Sequence, residues 1–168
     1  MSRSRKLLIT AGIVLLICGM CDGLFYALFR EHQRLEQMAV QLPNGFAQAA
    51  QGDVSAAHDS IRGYGETKFR YVREVDVHSH WSGLAVLLIL LGVTFPRLAF
   101  RESQRFWLAL ASVVGSVGFP LSVLAQNWDP GILPRAMAVI SSGLIIIAMA
   151  AVALGFAHDV GIPRPSRQ

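Results

Sequence analysis

Long stretches with almost no charge alternate along this chain with short segments in which charge is concentrated. From Leu7 to Phe29 the only ionisable side chains are Cys18, Cys21, Asp22 and Tyr26. That is about 23 residues, enough to cross roughly 30 Å of hydrocarbon at 1.5 Å per residue. Trp81 to Phe95 is a second apolar run, which reaches spanning length when His78 to His80 join its first turn. Phe106 to Ala125 is a third, with Pro120 near its end, and Ala136 to Ala157 is a fourth. The pattern therefore places spans at about 7–29, 79–96, 106–125 and 136–157, with a loop over about 30–78. Backbone groups in hydrocarbon must be satisfied within the segment, so all four spans are expected to be helices. The expected fold is all-α: one membrane domain, a four-helix bundle with a helical extramembrane loop between the first two spans.

That loop does not read as a flexible linker. Glu31 to Leu42 continues the helical pattern of the first span, and Pro43-Asn44-Gly45 is expected to end it. Phe46 to Ser60 is alanine-rich and compatible with helix, and Gly63-Tyr64-Gly65 reads as a break. Phe69, Val72 and Val75 then recur at helical spacing, so 69–96 is expected to be essentially one helix. Between the last two spans, Asp129-Pro130-Gly131 supplies a fixed φ and then a permissive residue, which predicts a tight turn. A cleaved leader explains the first segment less well, because the apolar stretch continues through Leu24 to Phe29.

Composition agrees with a membrane chain: 53% of the 168 residues are hydrophobic and 15% charged, against about 45–50% and about 25% in soluble domains. The net charge of +4 does not point to nucleic acid, because the Lys and Arg sit at segment ends and in the loop rather than along one face. With the N-terminus inside, the inner segments hold Arg3, Arg5, Lys6, Arg97, Arg101, Arg105, Arg164 and Arg167. The outer segments hold Arg30, Arg34, Arg62, Lys68, Arg70, Arg73 and Arg135. The inner charges are packed beside helix ends, where the positive-inside rule has most force, so both termini are expected in the cytoplasm of a cell inner (plasma) membrane. Trp81, Trp107 and Trp128 fall near span ends, as interfacial aromatics do.

No complete catalytic motif is present, but several polar residues lie in costly places. Asp22, inside the first span, is either a hydrogen-bonded lock between helices or a proton carrier. Gly19 and Gly23 flank it in a GxxxG pair. Ala111 with Gly115 and Ala151 with Gly155 make similar small-residue seams, which suit helices packed inside the bundle. Cys18 and Cys21 lie at i and i+3 near mid-membrane. As a dithiol they suit electron exchange with a quinone, and with Met20 or Met149 they suit Cu(I). Apolar surroundings make inert packing thiols the simpler reading.

The densest cluster is Glu74, Asp76, His78 and His80 at the mouth of the second span. On a helix, Glu74 pairs with His78 and Asp76 with His80, on different faces, so one pair at most points into the bundle. His80 with Asp76 is the pair expected there, because His80 adjoins the interfacial Trp81. A carboxylate one turn from a histidine is the pattern that supports a metal such as copper or zinc. A second histidine, His32 or His58, makes a haem ligand pair the other candidate. Ordinary interfacial histidines in ion-pair contacts account for the same residues, and His158-Asp159 reads as a helix terminus.

Three functions fit these features. The leading one is a non-catalytic subunit or accessory protein, surrounded by lipid and other membrane subunits, with a metal or haem site at the outer cluster. A quinone-linked membrane redox enzyme is the second. A small proton-coupled transporter using Asp22 is the third, and the absence of a sequence repeat or broken span weighs against it.

Overall fold

The computed structural model describes residues 1–98, 100–129 and 131–160, with side chains as far as residue 157. It is built from five helices: α1 (Arg3–Phe29), α2 (Glu31–Ala50), α3 (Val54–Thr94), α4 (Glu102–Ala125) and α5 (Ile132–Val160). A 3-10 turn, Phe95–Arg97, closes α3. Four of the helices, α1, α3, α4 and α5, are long and apolar enough to cross a membrane. The chain is therefore an all-helical, multi-pass membrane protein whose four spans form a bundle. Arg164 and Arg167 lie outside the described residues, and so does Pro130 of the expected turn.

The extramembrane segment is more regular than its sequence suggests. Arg30 leaves helical geometry only briefly, at φ −123° and ψ −39°. Its N–H still reaches the Tyr26 carbonyl at 2.9 Å, so α1 passes almost directly into α2. Pro43 does not end that helix. It lies inside α2, where its missing N–H leaves one carbonyl unbonded, and Gly45 anchors the segment by packing against Ile61 and Ala57 of α3. The reversal comes instead at Gly52, which has φ 78°, followed by Asp53, whose carboxylate accepts from Ala56 N–H at 3.0 Å. Gly63 and Gly65 do not break α3 either. Gly63 lies against the Gln41 side chain, so it allows close approach of α2 rather than a bend. The result is a two-helix hairpin. At 41 residues α3 is about 61 Å long, twice the hydrocarbon thickness, so its first half must stand clear of the bilayer.

Within the membrane half, Leu8, Leu15, Ala85, Leu88, Leu91, Phe95, Leu98, Ala109 and Val152 form one buried cluster. It joins all four spans near the end that carries the termini. Helix approach there is set by glycine. A Cβ on Gly12 of α1 would lie 2.7 Å from Ile89 Cγ1 and 2.9 Å from the Ala85 carbonyl oxygen. On Gly115 of α4 it would lie 2.8 Å from the Ser141 carbonyl oxygen of α5. Gly19 and Gly23 face α3, and Gly155 faces Leu98 and Phe100, so each small-residue seam read in the sequence turns inward. At the terminal end, Ser4 donates through both N–H and Oγ to Glu102 Oε1, at 3.2 and 3.1 Å, tying α1 to the start of α4.

These contacts predict a sharp contrast between glycines. Gly12→Leu and Gly115→Leu should each lower the stability of the detergent-solubilised protein by about 1–3 kcal/mol through overpacking against backbone. Gly83→Ala, where a Cβ meets nothing within 4 Å, should leave thermal unfolding unchanged. Equal effects at Gly83 and Gly115 would contradict the packing.

Candidate functional site

Where α1, α3 and the α4–α5 turn meet at the hairpin end of the bundle, a cavity of about 540 Å³ opens. α1 supplies Asp22, Phe25 and Tyr26, the hairpin supplies Arg34, Arg70 and Glu74, and the far wall holds Asn127 and Trp128. Arg30, at the α1–α2 junction, completes the mouth.

Glu74 organises this region. Its side chain is 9% exposed, and Oε1 accepts from Arg30 Nη1 and Arg34 Nη2, each at 3.2 Å. Helical spacing explains the pairing. Arg30 and Arg34 are one turn apart where α1 runs into α2, so both side chains reach the same point on α3. Burial of a carboxylate is strongly unfavourable unless it is paired, and two guanidinium groups meet that demand. Oε2 is also buried and has no partner, as is the Tyr26 hydroxyl.

His78 lies one turn below Glu74 and points at α1. Its Nδ1 is 2.8 Å from the Gly19 carbonyl oxygen, so this nitrogen carries the proton and donates. The imidazole fits because Gly23 has no side chain; a Cβ there would collide with the ring. The inward pair is therefore Glu74 and His78, not Asp76 and His80 as the sequence suggested. Asp76 stands beside Arg73 at 3.9 Å, with 41% of its side chain exposed. The His80 ring instead sits edge-on to Phe119 of α4, 4.7 Å between centroids. The reason is the position of the cations. Arg30 and Arg34 lie over the Glu74 face, and adjacency to Trp81 says nothing about that.

The remaining candidates are dispersed. His32 and His58 are exposed, on α2 and α3 respectively. Cys18 is half-buried and Cys21 exposed on α1. His158 and Asp159 belong to the last turn of α5, and their side chains fall outside the described residues. Among the described residues no three His, Cys, Asp or Glu side chains gather as a metal would require. Asp22 lines the cavity from within a span.

No protein-family model, curated protein or solved structure matches the chain. Its function must therefore be read from the site itself.

Sequence reasoning missed Arg30, Arg34 and Arg70, which it counted only as charges flanking a span. The available signal was the i, i+4 spacing of Arg30 and Arg34 at a helix continuation, facing one acidic residue on the returning helix.

The geometry ranks the three partners. Glu74→Gln should lower stability by about 2–3 kcal/mol, because two guanidinium groups lose a charged acceptor. Arg34→Gln should cost less, and Arg30→Gln, whose side chain is 48% exposed, under about 1 kcal/mol. Thermal unfolding in detergent checks the order, and a larger loss at Arg30 than at Arg34 would contradict it.

Proposed function

We propose that the chain is a non-catalytic accessory subunit that joins a second membrane protein through the hairpin formed by α2 and the first half of α3. The observation that carries this reading is an apolar face on a part of the molecule that stands in water. Leu35 (45%) and Phe46 (66%) of α2, with Val54 (75%), Ile61 (50%) and Val72 (44%) of α3, are large and exposed. On α2, residues 35, 39, 42 and 46 recur at intervals of 4, 3 and 4; on α3, Val54, Ile61 and Val72 share one face with His58, Gly65 and Lys68 between them. Turning about 100° per residue from the contact positions Gly45 and Ser60 puts both stripes on one side of the hairpin. The opposite side of α2 carries Gln33, Glu36, Gln37 and Gln41, with Val40 as its one large exposed apolar side chain.

An apolar face of this length suits a helix of a partner better than water. A hairpin about 30 Å long and two helices wide presents roughly 600 Å² to a neighbour, near the lower limit of a specific interface. A soluble two-helix hairpin also has too little core to hold its own shape, so a partner stabilises both. The faces of α1 and α5 that carry Ile13, Ile17, Ile146 and Ile147 are exposed in the same way, and lipid covers these. In this proposal the hairpin is on the outer side of a cell inner membrane and both termini are cytoplasmic, as the denser Lys and Arg near the helix ends support. A metal or haem at His80 is not part of the reading, because among the described residues no three metal-ligating side chains gather, and His32 and His58 are exposed while His80 packs on Phe119.

Two measurements test the proposal. A photo-crosslinker placed at Phe46 or Ile61 in native membranes should trap a defined membrane polypeptide, and one at Gln37 should not. Equal trapping from both faces, or adducts of only this chain with itself, would refute the accessory reading. Reporters fused after Arg101 should be active only in the cytoplasm, and one inserted within 48–59 only outside. The reverse pattern would invert the orientation.

A further inference from the structure

The cavity beside Glu74 has two charged poles, each with a charge that is unpaired among the described residues. Its floor holds Asp22, which makes no ion pair among the described residues. A carboxylate within a span ordinarily faces a partner or water, because an isolated one is costly. Its mouth holds Arg30, Arg34 and Arg70 against the single charge of Glu74, so the mouth is net positive. Arg70 is exposed and makes no ion pair among the described residues. The order of the poles is fixed by the fold: Asp22 precedes Arg30 by eight residues on α1, which places it about 12 Å nearer the bilayer centre. Behind the wall, Glu74 Oε2 and the Tyr26 hydroxyl are closed off from water and have no hydrogen-bond partner among the described residues, so the open polar groups of the cavity are those at its two poles.

We propose that this cavity binds a small, water-borne molecule that carries both an ammonium and an anionic group. The ammonium is held at Asp22, and the anion at Arg70 and the outer edge of Arg30. Each simpler occupant meets a repulsion. A lone anion at the mouth leaves Asp22 without a partner, and a lone cation must pass three guanidinium groups to reach it. A phospholipid with an ethanolamine headgroup has the opposite polarity, since its phosphate lies below its ammonium when the acyl chains point into the bilayer. The volume of about 540 Å³ lies within the usual range for small-ligand cavities and leaves room for water around a molecule of this size. Phe25 and Trp128 supply apolar wall between the poles.

Phosphoethanolamine, ethanolamine and inorganic phosphate separate these cases on the purified full chain in an uncharged detergent. Phosphoethanolamine should raise the unfolding temperature at a concentration at least about tenfold lower than either half-molecule needs, because each pole adds a charged hydrogen bond. Asp22→Asn should weaken phosphoethanolamine binding by about 10–100-fold while leaving the response to phosphate unchanged, and Arg70→Gln should weaken both. If Asp22→Asn does not fold, the ligand series and Arg70→Gln decide alone. An equal response to phosphate and phosphoethanolamine would reduce the site to an anion patch and overturn the proposal, as would no response to any of the three. In nanodiscs, replacing choline lipid by ethanolamine lipid should leave phosphoethanolamine binding intact. Competition by the lipid would identify a headgroup site and overturn the water-borne assignment.

Discussion

The close approach of α1 to α3 is the constraint on which the rest of the molecule depends. Without a driving force for burial between helices in lipid, association relies on packing and on polar contacts across the interface. Gly12, Gly19, Gly23 and Gly92 remove the side chains that would hold the two helices apart. That separation lets His78 donate to the Gly19 carbonyl and brings Glu74 under Arg30 and Arg34. A helix pair a side chain further apart would lose these contacts together, and the cavity beside them would lose its wall.

Two kinds of polar group result, and they behave differently. Ser112 and Ser122 donate to carbonyls four residues earlier in their own helix, at 2.8 and 2.6 Å, which satisfies them without joining helices. Glu74 and His78 reach across to another helix, so they fix the rotation of α3 about its axis as well as its distance from α1. Rotation decides which residues face the hairpin seam and which form the exposed apolar stripe. The stripe on α3 is therefore tied to an ion pair some distance below it.

Much of the fold was legible because the bilayer imposes a length and forbids an unsatisfied backbone. The four spans followed from apolar runs. The hairpin was less legible, for a physical reason. Pro43 and the glycines at 63 and 65 are local signals whose weight is about 1–3 kcal/mol each, and packing between α2 and α3 outweighs them. The true reversal at Gly52-Asp53 carries its own signal, a glycine followed by a capping carboxylate, which the alanine-rich surroundings hid. At the site, the sequence identified Asp22 and the carboxylate–histidine pairs but chose the wrong face. Periodicity separated the two pairs, but the positions of Arg30 and Arg34 decide which carboxylate is buried, while His80 packs on Phe119 of α4. The i, i+4 spacing of Arg30 and Arg34 is a local hint of a shared partner, but the acceptor lies 44 positions from Arg30, so nothing local says which carboxylate it is.

The length of α3 has a mechanical consequence. An unbroken helix about 61 Å long behaves as a stiff rod over such distances, with no proline and no 3-10 segment before residue 95 to absorb a bend. It is tied at its waist by Glu74 to Arg30 and Arg34 and by His78 to α1, and it packs on α2 along one half and on α1 along the other. The hairpin and the bundle therefore share one continuous strut, so the direction in which the hairpin stands above the membrane is set by the packing of α3 on α1 within it.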